Sequence, residues 1–270
     1  MLYQREHYFN TFDEFNSAPH GWDTDFSTTS KKNYKVSLKQ SATPGLLLNT
    51  AWLGSPTLQQ ATTPAEMRTF ALPLRLPHTY CWRGLSVNEK TFMAFPSDRE
   101  LFSMMGADSE VLTISVDQGL VDGCLQNWDI NPDELFQLPL TADLATQQYQ
   151  AMRRNLEMMS EFMVKYGDLE LFPDLSRGIR DMLIEDMLQP VLGQLDHPAI
   201  SKSAATRRVK KAADYILSHL DQAITVDDVC KQVGCSRRSL EQGFKQHAGT
   251  SPKQFFQLMR LEHCRKALLA

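Results

Sequence analysis

Ile224-Thr225-Val226-Asp227-Asp228-Val229, continuing to Gly234-Cys235-Ser236-Arg237-Arg238-Ser239-Leu240 and Phe244-Lys245, carries the pattern of two short helices and a turn in the C-terminal part of this chain. Thr225 followed three residues later by Asp228 predicts a helix start in which each residue caps the other. Val229 and Val233 share a face of that helix, and Gly234 supplies a tight turn. Ser236 predicts the cap of a second helix whose inward face is Leu240 and Phe244, one turn apart. Two short helices joined by a glycine-containing turn are the layout that sets the second helix into a DNA groove.

Downstream, Gly249 stands where a helix C-terminus favours a left-handed residue. Ser251-Pro252-Lys253-Gln254 then offers a cap, a proline at the first helical position and a reciprocal Gln. A long helix is predicted from Pro252 to Ala270. The caps, turn glycine and apolar positions resemble the first half of the AraC/XylS family's DNA-binding domain. So does the continuation Gly249-Thr250-Ser251-Pro252, Phe255 or Phe256, Arg260-Leu261 and Arg265-Lys266-Ala267-Leu268-Leu269. Within that family, Ser-Arg-Arg-Ser-Leu and Ser-Pro-Lys-Gln-Phe-Phe resemble the branch containing the ethanolamine-operon regulator.

The resemblance implies a second helix-turn-helix bridged by the long helix, and this sequence stops within the bridge. The expectation is therefore an incomplete reader, with Leu258, Leu261 and Leu268 left as an apolar stripe beside Cys264. Gly243 and Gln242 also depart from the family, which places an apolar and a basic residue there. Glycine inside a helix costs about 1 kcal/mol relative to alanine, so Gly243 is expected to weaken the recognition helix.

Charge is distributed to match. From Ser201 to Ala270 there are 13 Lys or Arg against 6 Asp or Glu, a balance of +7, while the other 200 residues carry −11. A basic segment on an acidic body is the footprint of a nucleic-acid reader joined to a part that does something else. Five cysteines without paired spacing do not form a disulfide framework. Cys230 and Cys235 read as core packing within the helix-turn-helix. The N-terminus has no basic start followed by an apolar run, and no segment nears the roughly 18 apolar residues of a membrane helix. A cytoplasmic protein is expected.

Residues 1–140 predict a β-rich sensor or effector domain, barrel-like and, by the resemblance, cupin-like. Strands are expected at Tyr34–Gln40, Gly45–Trp52, Met67–Leu74, Thr79–Ser86, Thr91–Phe95 and Glu110–Val116, separated by Pro-rich turns. Leu112, Ile114 and Val116 should share a face. A short helix is expected from Asp117 to Trp128. Residues 141–195 turn helical, at Ala145–Tyr166 and Asp174–Leu195. Their Met-rich stripes (Met152, Leu156, Met159 and Met163; Leu175, Ile179, Met182, Leu183 and Met187) fit packing on the barrel or a homodimer interface. Asp196–Ala204 reads as the linker to a helix-turn-helix domain spanning 203–270. The fold class is thus α+β, with an all-α C-terminal domain.

On the predicted recognition helix, residues 236–247, Arg238, Gln242 and Lys245 point away from Leu240 and Phe244, flanked by Ser236, Arg237, Ser239 and Gln246. Arg suits guanine, Gln adenine and Lys phosphate, while Glu241 would repel phosphate. Arg207, Arg208, Lys210 and Lys211 are further candidates for phosphate contact. Tyr80, Trp82 and Arg83 are candidates for a small-molecule effector pocket, against the plainer reading of core packing and a surface Arg. His7, His20 and His78 stand apart, so no metal and no cofactor are expected. There is no Gly-rich phosphate loop, Gly-x-Ser-x-Gly elbow or His-Glu-x-x-His, and an enzyme is not expected. The leading reading is an effector-responsive transcription regulator that binds double-stranded DNA. Two alternatives compete: a DNA-incompetent relative, either an interaction protein or a gene remnant, and a barrel-fold binding protein with a vestigial tail.

Overall fold

The computed structural model describes residues 3–18, 21–28, 35–83, 85–97, 99–137, 139–165, 173–193, 204–248 and 250–269. In chain order the elements begin with β1 Tyr3–Phe9, α1 Phe12–Asn16, β2 Asp23–Thr24, β3 Ser27–Thr28, β4 Val36–Thr43, β5 Leu46–Leu53, β6 Thr57–Thr62 and β7 Met67–Arg75. They continue with β8 Tyr80–Trp82, β9 Leu85–Val87, β10 Thr91–Ala94, β11 Glu100–Met105, β12 Ser109–Asp117, α2 Gln118–Asn127, α3 Pro132–Leu135 and β13 Leu140–Asp143. The helices α4 Thr146–Lys165, α5 Pro173–Leu192, α6 Ala204–Leu217, α7 Val226–Val233, α8 Arg237–Ala248 and α9 Pro252–Leu269 complete the chain. The chain divides into two compact units, residues 1–79 with 87–199, and residues 80–86 with 200–270.

The first unit is built on open antiparallel sheets rather than one closed barrel. Seven strands run in the order β1-β4-β5-β12-β7-β10-β13, and in a second sheet β6 pairs β2, β3 and β11. Strand β12 lies centrally, Ile114 facing Leu48 on one side and Phe70 on the other. Its alternation works as expected: Leu112, Ile114 and Val116 are all buried. Strands β1, β2, β3, β6, β11 and β13 escaped the sequence reading. Several are short or polar, and Thr57-Leu58-Gln59-Gln60-Ala61-Thr62 has too few apolar residues to announce a strand.

The Met-bearing helices pack on this sheet. Met152, Leu156 and Met159 of α4, and Leu183, Ile184, Met187, Leu188 and Val191 of α5, join Leu48, Phe70, Phe92 and Ile114 in one core. Met182 falls off the expected stripe and is 51% exposed, as is Met158 at 59%. The side chains of Met163, Leu175 and Ile179, and residues 196–203 of the expected linker, lie outside the described residues, while Ala204 opens α6.

One polar knot fixes α2 to β7. Buried Arg68 grips Asp122 with two parallel bonds, Nε to Oδ1 at 2.9 Å and Nη2 to Oδ2 at 3.0 Å. Nη1 donates to Ser97 Oγ at 3.0 Å, and the guanidinium lies 4.6 Å from the centre of the Phe136 ring. A bidentate partner and further contacts are what a buried cation requires, so this Arg is structural.

Candidate nucleic-acid interface

Helix α6 lays Val209, Ala212, Ala213 and Ile216 into the core of the second unit. Helix α7 starts as the sequence predicts. The Asp228 N–H donates to Thr225 Oγ1 at 3.2 Å, and the Thr225 N–H and hydroxyl donate to Asp228 Oδ2 at 2.9 and 2.7 Å. The Thr225 side chain, then its backbone N–H, hold the Asp228 carboxyl below its ordinary pKa, because both bonds favour the charged form. The helix ends at Gly234, whose φ of 64° is the left-handed conformation that glycine adopts without steric penalty.

Helix α8 is capped by Ser236, whose Oγ accepts the Ser239 N–H at 3.2 Å. Leu240 and Phe244 are buried, while Ser236, Arg237, Arg238, Ser239, Glu241, Gln242 and Lys245 are exposed. At 3.6 residues per turn, Arg238, Gln242 and Lys245 form one stripe opposite the core. Arg237 is turned aside: its Nε donates to Glu241 Oε1 at 3.1 Å, and Nη1 lies 3.9 Å from Asp227 Oδ1 on α7. Gln246 lies in this helix with its side chain outside the described residues, and the cap residue Gly249 is likewise outside them.

Gly243 has a packing role beside its low helix propensity. It is buried, and a Cβ added there would sit 2.7 Å from Cγ2 of Val209. Glycine at this position lets α8 approach α6, so its low helix propensity comes with a packing reason that the local sequence does not show. Helix α9 begins as expected, with Gln254 N–H donating to Ser251 Oγ and Ser251 N–H to Gln254 Oε1, both at 3.2 Å. Phe255 packs on Phe244 at 5.4 Å between ring centres, and Met259 is buried beside them. Leu261 and Leu268 are 68% and 86% exposed.

The other candidates separate. Lys211 is exposed on α6; Arg207, Arg208 and Lys210 belong to the same helix, with side chains outside the described residues. Tyr80 and Trp82 are buried and Arg83 is half-buried. All three group with the helix-turn-helix unit rather than with the rest of the N-terminal sheet. Burial of both aromatics is what core packing produces. Among the described residues, no three His, Cys, Asp or Glu are placed to hold a metal ion, and no helix is long and apolar enough to cross a membrane.

Residues 229–270 match a family model described as a helix-turn-helix domain. The chain is 35% identical over 104 residues to the "Probable thc operon regulatory protein" of Rhodococcus erythropolis, a match covering 37% of this chain and 31% of that protein. It is 34% identical over 99 residues to the lactose operon transcription activator of Staphylococcus xylosus, covering 35% of this chain and 36% of that one. The matches thus span about a third of each relative's length. Among solved structures, the AraC-like transcriptional activator CuxR is similar at a TM-score of 0.48 and 13% identity, over 98% of this chain and 95% of that one. The relatives are regulators of transcription by name, and the C-terminal segment of this chain is a helix-turn-helix domain of the AraC type.

Proposed function

We propose that the protein is a transcription regulator that reads the major groove of double-stranded DNA with α8. The observation that carries this is the exposed stripe Arg238, Gln242 and Lys245, set on a helix whose opposite face is anchored by Leu240 and Phe244. Arg238 and Gln242 have the fork geometries that pair with guanine and adenine edges. Lys245 supplies a phosphate contact, with Lys211 and the basic run Arg207, Arg208 and Lys210 adding charge upstream. Ser236, Ser239 and Gln246 flank the readers. Arg237, paired with Glu241 in the first turn of α8, stands beside the readers.

The N-terminal unit, which has its own core, is the part that answers an effector in this reading, and Met158 and Met182 mark where two copies would pair. Titrating fluorescent DNA from the protein's own promoter region tests the reading. Arg238→Ala and Gln242→Ala should each lose about 1–3 kcal/mol of discrimination at one base pair. Lys245→Ala should weaken all sequences alike and lower the salt slope by about 1. Three variants that bind like the wild type would exclude α8 as the reader.

A further inference from the structure

The turn between α7 and α8 brings two cysteines together by backbone geometry alone. The Cys235 N–H donates to the Cys230 carbonyl at 3.1 Å, and the Gly234 N–H to the Lys231 carbonyl at 3.4 Å. With Gly234 left-handed, these nested bonds make a Schellman motif, which sets the side chains of its outer two residues against each other, generally as an apolar contact. Here both outer residues are cysteines, so the turn sets two thiol-bearing side chains on the same side. Cys230 is buried and Cys235 half-buried.

We propose that Cys230 and Cys235 are an oxidisable dithiol that closes to a disulfide across the α7–α8 turn, a redox modification site within the helix-turn-helix. Burial, then the neighbouring Cys235 thiol and Asp227, raise the Cys230 pKa against the opposing pull of Arg237. Cys230 therefore stays protonated at neutral pH, and the more accessible Cys235 meets an oxidant first. With a peroxide, the Cys235 thiolate attacks one oxygen; the O–O bond breaks and hydroxide leaves, taking up a proton to become water. Cys230 then gives up its proton as its sulfur attacks the sulfenic sulfur, and the S–O bond breaks to release a second water. Two thiols lose two electrons and two protons, and the peroxide becomes two waters.

An S–S bond of about 2.05 Å is much shorter than the separation of two unbonded sulfurs, so closure draws Cys235 toward α7. Ser236 and Arg237 follow directly in the chain, so the start of α8 moves with it. This consequence, unlike the disulfide itself, rests on α8 being the DNA reader.

The test uses the full chain, reduced, exposed to hydrogen peroxide, alkylated and digested with trypsin. Cleavage after Lys231 and Arg237 leaves the two cysteines on separate peptides, residues 212–231 and 232–237. The expected product is these two peptides joined, parting on reduction, and absent in Cys235→Ser. Recovery of both cysteines alkylated after peroxide, or a link only between different molecules, would overturn the dithiol. Promoter DNA should bind the oxidised chain several-fold more weakly than the reduced one, with no such difference in Cys235→Ser. A complete link with unchanged binding would overturn the effect on the turn. A reduced chain that binds no DNA would instead sink the DNA-reading proposal, and the linked peptides would still decide the thiol chemistry.

Discussion

The two units of this protein are held together on different length scales. In the C-terminal unit the helix starts close over three residues, Thr225 with Asp228, Ser236 with Ser239 and Ser251 with Gln254. In the N-terminal unit Arg68 meets Asp122 across 54 positions, and Ser41 meets Ser160 across 119. Its core gathers Leu48, Phe70, Phe92, Ile114, Leu156 and Leu188 from six elements. Short-range caps each contribute little and are nearly independent. A shared core ties distant strands into one cooperative structure, so a single defect is felt throughout it.

The largest expected effect follows from that contrast. Phe70 is fully buried and stacked 5.7 Å from Phe92, so Phe70→Ala should cost about 3–5 kcal/mol. Hydrogen exchange should show β7 and β12 losing protection while α7 and α8 keep theirs. Equal loss in both units would mean that they unfold as one body, and the contrast would fail.

Gly243→Ala probes a tertiary constraint within the locally specified unit. Propensity alone would stabilise α8 by about 1 kcal/mol. The 2.7 Å approach to Val209 should turn that gain into a loss of about 1–3 kcal/mol through overpacking. Urea unfolding of the full chain measures it, and a stabilised variant would show that α6 and α8 can part without penalty.

A smaller effect belongs to the cap of α7. Thr225→Ala should cost about 1 kcal/mol, seen as faster exchange of the first amides of α7. Because Asp228 titrates below its ordinary value in the folded chain, the cap's contribution is full above the ordinary carboxylate range. It is lost as pH falls through the lowered folded-state value. Asp228→Asn should remove that part of the acid dependence; an unchanged acid limb would break the assignment.

The smallest stability effect is expected for Glu241→Gln. The Arg237–Glu241 pair is exposed, and such pairs add little to stability. The melting temperature should stay put while DNA binding tightens, because a carboxylate leaves the reading face and Arg237 is released. Weaker binding would mean that Arg237 acts by holding the turn.

The helix-turn-helix was legible because its determinants lie within a few residues of one another. A cap, a left-handed glycine and an apolar pair one turn apart are local demands of backbone geometry, and Thr225, Gly234, Ser236, Leu240, Phe244 and Ser251 meet them without help from the rest of the chain. The alternation of Leu112, Ile114 and Val116 was legible for the same reason. The partners of those strands were not. The polar strand β6 forms because β2, β3 and β11 satisfy its backbone, and nothing in Gln59-Gln60 announces that. Likewise, Met187 turns inward while Met182 stays out, Arg68 finds Asp122, and Gly243 proves to be a contact point. Cys230 and Cys235 stand between these cases: their spacing around Gly234 is local, but the backbone bond that joins them forms only once the turn closes. Sequence alone determined where α7, α8 and α9 begin and which face of α8 is polar, since hydrogen-bond demand and helical period act locally. Tertiary structure alone decided strand order, core membership and the closeness of helices, since these depend on what the distant chain brings into contact.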